Sequence, residues 1–159
     1  MQTPIFKKND LVWLAGFIDG EGYIGITSQQ KKESSNSAAS MVYHPLLIVT
    51  NTNLEALNTI LVMIGEGKIY KLSYSNGNHQ SAYQYKLTKH THLVGLLERI
   101  RPHLRIKQQQ CDIVIDFIKR RGSSVRKTGR GSRGSSSFTL QDQQAYRQLL
   151  DLNKRGRSV

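Results

Sequence analysis

Cysteine, proline and acidic residues are all scarce in this chain of 159 residues. The single cysteine, Cys111, excludes an intramolecular disulfide and a zinc site built from cysteines, and indicates an intracellular, reducing compartment. No apolar run approaches the ~18 residues that a membrane span needs. The first ten residues lack the apolar stretch of a secretory signal. We therefore expect a soluble protein that does not associate with membranes.

The scarcity of acid leaves the chain strongly basic. It has 23 lysine and arginine residues against 11 acidic ones, so its formal net charge is +12 and its isoelectric point is about 10.0. Nucleic acid is the usual partner of a domain with an isoelectric point above ~9, because a polyanion neutralises such a surface. A basic protein that binds no nucleic acid is the alternative.

The periodicity of apolar residues predicts an α+β fold with the order αββαββα. Asn9 and Asp10 begin a first helix that is apolar on every side and runs to Asp19, so we expect it to be buried all round. Strand patterns cover 23–29, 41–50, 68–73 and 82–88, and further helix patterns cover 54–64, 91–101 and 105–119.

We predict a single domain with three parts. Residues 1–121 form its core, residues 122–138 form a basic loop rich in glycine and serine, and residues 139–159 form a C-terminal helix and tail. Thr139 and Asp142 have the spacing of a capping box that begins this last helix. The loop is expected to grip DNA phosphates without reading sequence, through Arg126, Lys127, Arg130 and Arg133.

Two acids, Asp19 and Glu21, lie at the C-terminal end of the first helix, where the helix carbonyl groups disfavour them by ~0.3–1 kcal/mol each. A hard divalent cation would resolve this, because Mg²⁺ binds one or two carboxylates together with phosphates and waters. The alternative is that Asp19 caps its own chain and Glu21 is merely solvated. We prefer the cap for Asp19, and on this argument alone both alternatives stay open for Glu21.

This helix end resembles the motif that names the LAGLIDADG homing endonucleases, and it reads Leu14-Ala15-Gly16-Phe17-Ile18-Asp19-Gly20-Glu21-Gly22. Seven positions match if glutamate is allowed for the second aspartate. The resemblance implies the αββαββα fold of that family, with additional C-terminal helices and a saddle-like antiparallel sheet. It also implies metal-dependent hydrolysis of both strands of a long, pseudo-palindromic DNA site, which promotes intron or intein mobility.

The resemblance further implies the roles of single residues. Glu21 and the carbonyl group of Gly20 would bind Mg²⁺, for which Mn²⁺ or Ca²⁺ can substitute in binding. Asn51 matches an amide that holds a water at the metal, and Lys107 matches a basic residue presented to the scissile phosphate. Some relatives have a second basic residue early in the second helix, where this chain has Leu54, Glu55 and Ala56. Loop residues such as Arg126, Lys127 or Arg130 are the candidates to replace it.

A single motif in a short chain implies a homodimer. The two motif helices would pair, and the residues predicted for that interface are Leu14, Ala15, Gly16 and Asp19. The antiparallel strand pairs would lie in the major groove, which admits a β-ribbon. The polar strand positions predicted to contact double-stranded DNA are Tyr23, Thr27, Gln29, Lys31, His44, Lys68, Tyr70, Gln84 and Lys86. For each one alone, a solvated strand face is the alternative.

Two other functions are compatible with the same fold. An RNA maturase would use it to assist intron splicing, and RNA would then be a partner. A non-catalytic DNA-binding protein would have no use for the acid at the end of the motif. Glu21 is intact, and this favours the nuclease.

Overall fold

The computed structural model describes residues 7–32, 40–72, 81–124 and 138–154, in which helices pack on a four-stranded antiparallel sheet. The helices are α1 Lys8–Glu21, α2 Leu54–Ile64, α3 His90–Ile100, α4 Gln108–Ser124 and α5 Leu140–Leu152, with a 3₁₀ turn at Arg101–His103. The strands are β1 Gly22–Lys31, β2 Ser40–Asn51, β3 Lys68–Leu72 and β4 Ala82–Leu87. The predicted αββαββα order is confirmed, and α5 is an additional C-terminal helix.

The strand order β1-β2-β4-β3 and the register define two faces of the sheet. Ile24 pairs with Leu47, and Val49 pairs with Tyr85, so these four side chains share one face. All four are completely buried, and they pack with residues of the helices into one hydrophobic core. The helices therefore cover this face, which leaves the other face of the strands to carry polar residues.

Helix α1 is buried on one side only. Leu14, Ala15 and Ile18 have no exposed surface, whereas Val12 is 48% exposed and Trp13 is 41% exposed. This chain alone therefore does not bury α1 all round, and burial of its other side between subunits stays a prediction. Apolar residues cover the whole circumference of α1, but the chain's own core covers only half of it, and an apolar face is left exposed.

Several helix ends follow local capping rules. Asn53 caps α2 by accepting the Ala56 N–H at 3.1 Å, and Gly65 ends α2 with a φ of 71°. The predicted capping box of α5 is confirmed, because the Thr139 N–H donates to the Asp142 carboxylate at 2.8 Å and the Asp142 N–H donates to the Thr139 hydroxyl at 3.3 Å.

Helix α4 begins and ends later than predicted. Its first residue is Gln108 rather than Arg105, and it continues through Ser124, past the predicted end at Lys119. The C-terminal part is held against α5, because Arg120 and Arg121 both pair with the buried carboxylate of Asp142, at 3.3 Å and 3.0 Å. This pairing joins residues that are far apart in the chain, so local sequence patterns cannot reveal it.

Cys111 is a buried, free thiol in α4, as the sequence indicates. It donates a weak hydrogen bond to the Leu97 carbonyl group at 3.5 Å. Burial raises the pKa of this thiol to about 12, and the neighbouring Asp112 adds to the effect. None of the described helices is long and apolar enough to cross a membrane.

Candidate active site and nucleic-acid interface

Glu21 is the last residue of α1 and lies directly before β1, with its side chain exposed. The next residue, Gly22, donates its N–H to the Ile18 carbonyl group as the chain leaves the helix. A Cβ atom on Gly22 would lie 2.6 Å from that carbonyl oxygen, so only glycine fits there. The last glycine of the motif thus allows the helix to pass straight into the strand, with the carboxylate at the junction.

A cavity of about 490 Å³ opens beside Glu21. It lies where the end of α1, the start of β1, the end of β2, the start of α4 and the end of α5 converge. Its charged residues are Glu21, Lys107 and Lys154, and its other polar side chains belong to Tyr23, Thr50, Gln110 and Asn153. Of the site predicted from the sequence, Gly20, Glu21 and Lys107 are brought together here.

Asp19 joins the end of α1 to the start of α4. Its side chain is only 9% exposed, and its two carboxylate oxygens accept the N–H groups of Arg105 at 2.6 Å, Ile106 at 3.2 Å and Lys107 at 3.0 Å. The Lys107 ammonium group also donates to the Asp19 carbonyl oxygen. A cation at the C-terminal end of a helix is favourable, and the same contacts hold Lys107 beside Glu21.

Three of the four residues predicted for the subunit interface need correction. Leu14 and Ala15 are completely buried in the chain's own core, and Asp19 is occupied by the segment before α4. Only Gly16 is exposed. A helix has two faces, and the sequence does not show which one its own sheet covers.

The predicted role of Asn51 also needs correction. Its side-chain oxygen accepts the Asn53 N–H at 2.8 Å, which forms the turn that leads into α2. Asn51 pairs with Tyr83, on the face of β2 opposite to its neighbour Thr50. Thr50 lines the cavity and Asn51 does not. The structure therefore places Thr50 rather than Asn51 at the cavity, because neighbouring strand residues lie on opposite faces of the sheet.

The strand residues predicted to contact DNA all lie on one face, which we call the open face. Register places Tyr23 beside Ile48, Thr27 beside His44, and Gln29 and Lys31 further along β1. It also places Tyr70 beside Gln84 on the same face. The open face consists of Tyr23, Thr27, Gln29, Lys31, His44, Thr50, Lys68, Tyr70, Gln84 and Lys86.

The charge of the open face is of one sign. Lys68 lies directly opposite Lys86 across β3 and β4, although like charges directly opposite one another destabilise a sheet. The four described strands contain no acidic residue to relieve this repulsion. Next to the two lysines on the open face, the Gln84 amide of β4 approaches the Thr50 hydroxyl of β2 at 3.5 Å. Such a surface accommodates a polyanion.

Tyr23 is partly engaged within the chain. A Cβ atom on Gly25 would lie 2.5 Å from the Tyr23 ring, so the ring lies closely over that glycine. Burial raises the pKa of the Tyr23 phenol, and a hydrogen bond with Asn153 opposes this effect. Tyr23 therefore packs at the rim of the cavity, whereas Thr27, Gln29 and Lys31 are exposed or partly exposed along the same strand.

The described part of the chain contains no group of three or more His, Cys, Asp or Glu side chains that could hold a metal ion. Glu21 offers one carboxylate, and the carbonyl of Gly20 lies at the same helix end. This donor set fits Mg²⁺ only if DNA phosphates, waters or a second copy of the chain complete the coordination. A shared ion of this kind is consistent with a cavity to which each chain contributes one carboxylate from its described residues.

Several residues of the cavity have no signal in the local sequence. Thr50, Gln110, Asn153 and Lys154 were not predicted, because they come from three elements that only the tertiary structure brings together. The Asn153 side-chain N–H donates to the Ile24 carbonyl group at 3.0 Å, across 129 positions of sequence. The predicted phosphate contacts Arg126, Lys127, Arg130 and Arg133 lie outside the described residues and stay predictions.

Comparison with known proteins agrees with this architecture. Residues 14–110, more than half of the chain, match the family model of the LAGLIDADG endonucleases. The chain therefore belongs to the LAGLIDADG endonuclease family. A sequence search of curated proteins finds no match.

Solved structures show the same fold. The homing endonuclease I-CvuI, in complex with DNA, matches with a TM-score of 0.61 and 20% identity over 89% of this chain and 95% of its own. The archaeal intron-encoded homing endonuclease I-Vdi141I, also in complex with DNA, matches with a TM-score of 0.68 and 15% identity over 93% of this chain and 86% of its own. The DNA-bound meganuclease I-SmaMI matches with a TM-score of 0.61 and 17% identity over 96% of this chain but 46% of its own.

Proposed function

We propose that the protein is a homing endonuclease that cuts both strands of a long DNA site as a homodimer, using a divalent metal ion. The observation that carries this proposal is the exposed Glu21 carboxylate, which lies in one cavity with Lys107 at the end of the acid-free open face. The carboxylate can hold a divalent ion for phosphodiester hydrolysis, the cation beside it can stabilise charge on the phosphate, and the basic strand surface suits DNA.

In this proposal, residues of the open face recognise the DNA. A two-stranded ribbon enters the major groove, where glutamine pairs with adenine and lysine pairs with guanine. Gln29 and Gln84 are the candidates for adenine, and Lys31, Lys68 and Lys86 are the candidates for guanine or for phosphates. The DNA complexes of I-CvuI and I-Vdi141I support double-stranded DNA as the partner of this fold.

In this proposal, the Glu21 carboxylate and the Gly20 carbonyl group provide the metal ligands. Mg²⁺ bound there would lower the pKa of a water and stabilise the leaving oxygen of the phosphodiester. Lys107, fixed by Asp19, would place its positive charge beside the phosphate as negative charge develops on it. The complex of I-CvuI with its target in the presence of calcium supports a divalent ion at this fold.

In the proposed homodimer, the two subunits contact one another through the exposed face of α1. A Cβ atom on Gly16 or Gly20 would meet nothing within 4 Å, so the chain's own packing does not require either glycine. Val12 and Trp13 expose apolar surface on the same helix. A second α1 would cover this face and bring two copies of Glu21 together. This chain covers 46% of the I-SmaMI chain, so two copies of it together would match nearly the whole length of I-SmaMI.

The cellular role is proposed from the same basis. The enzyme would act in an intracellular, reducing compartment, on an allele of its host gene that lacks the intron or intein. Its free and buried Cys111 is compatible with such a compartment.

Mapping of double-strand ends across host DNA tests the function and locates the target in the same experiment. Purified protein with Mg²⁺ and host DNA whose matching gene lacks the insertion should give recurrent ends at one or a few sites. Glu21→Gln should abolish cleavage there and retain specific binding. Glu98→Gln, which changes an exposed acid of α3 outside the cavity, should cut like the wild type.

Two results would contradict the proposal. The first is the absence of any recurrent end in Mg²⁺, and the second is cutting by Glu21→Gln at the wild-type rate. A protein that binds RNA of its own intron tightly and leaves DNA intact would favour the maturase instead.

A further inference from the structure

Lys154 lies at the cavity with Glu21 and Lys107, although it is 44 residues beyond the region that the family model matches, which ends at residue 110. It follows the C-terminal end of α5. The cavity is therefore completed by a part of the chain outside the family core. Its charged side chains are one carboxylate and two lysines.

The end of α5 is fixed at this position by contacts to other elements. Asn153 donates from its side-chain N–H to the Ile24 carbonyl group of the edge strand β1 at 3.0 Å, and it also bonds the Tyr23 phenol. The Gln110 amide of α4 approaches the Leu152 carbonyl group at 3.5 Å. Lys154 thus follows an anchored residue, and its backbone position beside the cavity is set by the fold.

The ammonium group of Lys154 can reach a phosphate at little cost. It pairs with Asp151 at 2.7 Å, but both side chains are mostly exposed, at 69% and 63%. Exposed ion pairs of this kind contribute little to stability, so DNA can replace Asp151 as the partner. Lys107 differs, because its ammonium group is bound to the carbonyl group of Asp19 at the end of α1.

The remainder of the cavity offers no other cation among the described residues. The first turn of α2, with Leu54, Glu55 and Ala56, carries no basic side chain. Because charge on a phosphate increases during phosphodiester cleavage, a second cation at such a site stabilises the transition state.

We propose that Lys154, held by the Asn153 anchor, is the second active-site cation and contacts the phosphate at the cleavage site. This inference rests on the proposed nuclease function and assigns the end of α5 to the catalytic site. Arg126, Lys127 and Arg130, predicted from the sequence for this role, are then left with contacts to the DNA backbone.

The test uses the full-length protein, the DNA site found by mapping, and single-turnover cleavage at saturating protein, which separates rate from affinity. Lys154→Ala should lower the cleavage rate about 10-fold to 100-fold, and Lys154→Arg should restore most of it. Asn153→Ala keeps the positive charge of Lys154 but removes the anchor, and it should also lower the cleavage rate. Lys119→Ala is the matched control, since it changes another exposed lysine, which pairs with Glu98 away from the cavity.

Three outcomes separate the explanations. Wild-type rates in Lys154→Ala at saturation overturn the inference and leave the nuclease assignment intact. Weaker binding with an unchanged saturated rate also overturns it, because Lys154 would then only grip the backbone. A wild-type protein that cuts no site overturns both proposals.

Discussion

Asp19 has a tightly held carboxylate, because three backbone N–H groups converge on it in a nearly buried position. Asp19→Asn keeps the shape but removes the charge and turns an NH₂ group toward a backbone donor. We expect a loss of about 1–3 kcal/mol in the free energy of unfolding, measured by urea denaturation. We also expect slower cleavage, because Lys107 loses the support that holds it.

Asp142→Asn is the control for this change. Asp142 is also buried, it also accepts a backbone N–H group, and it lies at α5 outside the cavity. Its loss should lower stability while the single-turnover rate of the folded protein stays at the wild-type value. Equal effects of the two variants on that rate would show that Asp19 has only a structural role.

At the residue scale, the sequence predicted the acid and the nearby lysine but not their surroundings. Glu21 was found because a carboxylate at a helix C-terminus is unfavourable without a partner, and Lys107 was found through the family resemblance. Asn51 was predicted at the metal but lies on the face away from the cavity, because only the register decides which face a strand residue occupies. Lys154 was missed, since the contact that anchors it spans 129 positions.

At the scale of single elements, the exposed face of α1 makes a specific prediction. Gly16→Leu adds a side chain whose Cβ atom meets nothing in the chain itself, so folding should be retained. Replacing the glycine should stabilise the helix by about 0.5–1 kcal/mol. Dimerisation should be lost, because the second α1 can no longer approach. Solution mass and thermal unfolding measure the two effects.

Gly95→Leu is the matched control in α3, where a Cβ atom also meets nothing within 4 Å. It should leave the solution mass of the protein at the dimer value. A Gly16→Leu protein that remains a dimer would place the subunit contact on another surface.

The strand β3 offers a second matched pair. Lys68 and Lys71 are both exposed, but Lys68 lies on the open face opposite Lys86, and Lys71 lies on the other face opposite Tyr83. Lys68→Gln should relieve the repulsion and raise stability by about 0.2–1 kcal/mol or leave it unchanged. It should also weaken DNA binding. The slope of log affinity against log salt concentration should fall by about the contribution of one phosphate contact.

Lys71→Gln should leave both the affinity for DNA and its salt dependence at the wild-type values. Fluorescence anisotropy with a labelled duplex at several salt concentrations measures both quantities. If the two variants behave alike, the open face is not the DNA-binding face.

Elements were predictable where their signals are local. The strand alternation and the Thr139–Asp142 capping box are read from neighbouring residues, and the structure confirms them. The start of α4 was predicted three residues too early, because the N–H groups of Arg105–Lys107 bind Asp19, which lies 86 to 88 positions away. A pattern of apolar residues cannot contain that information.

At the scale of the whole molecule, three features meet at one place. The motif helix ends in an exposed acid, the basic open face begins beside it, and the exposed apolar face of α1 lies on the same helix. A second copy packed on α1 would double the acid and extend the open face into a continuous DNA-binding surface. The Glu21 carboxylate, which is the one acid among the described residues of the cavity and alone is a poor metal site, then becomes one half of a shared site.

The anomalous scattering of Mn²⁺ in crystals of the protein bound to its DNA site tests this shared metal site most directly. The account predicts an anomalous peak at the two-fold axis or beside it, within coordination distance of the Glu21 carboxylates of both copies and of DNA phosphate oxygens, and no such peak for Glu21→Gln. A wild-type complex with cleavable DNA and saturating Mn²⁺ that shows no ion near Glu21 would contradict it.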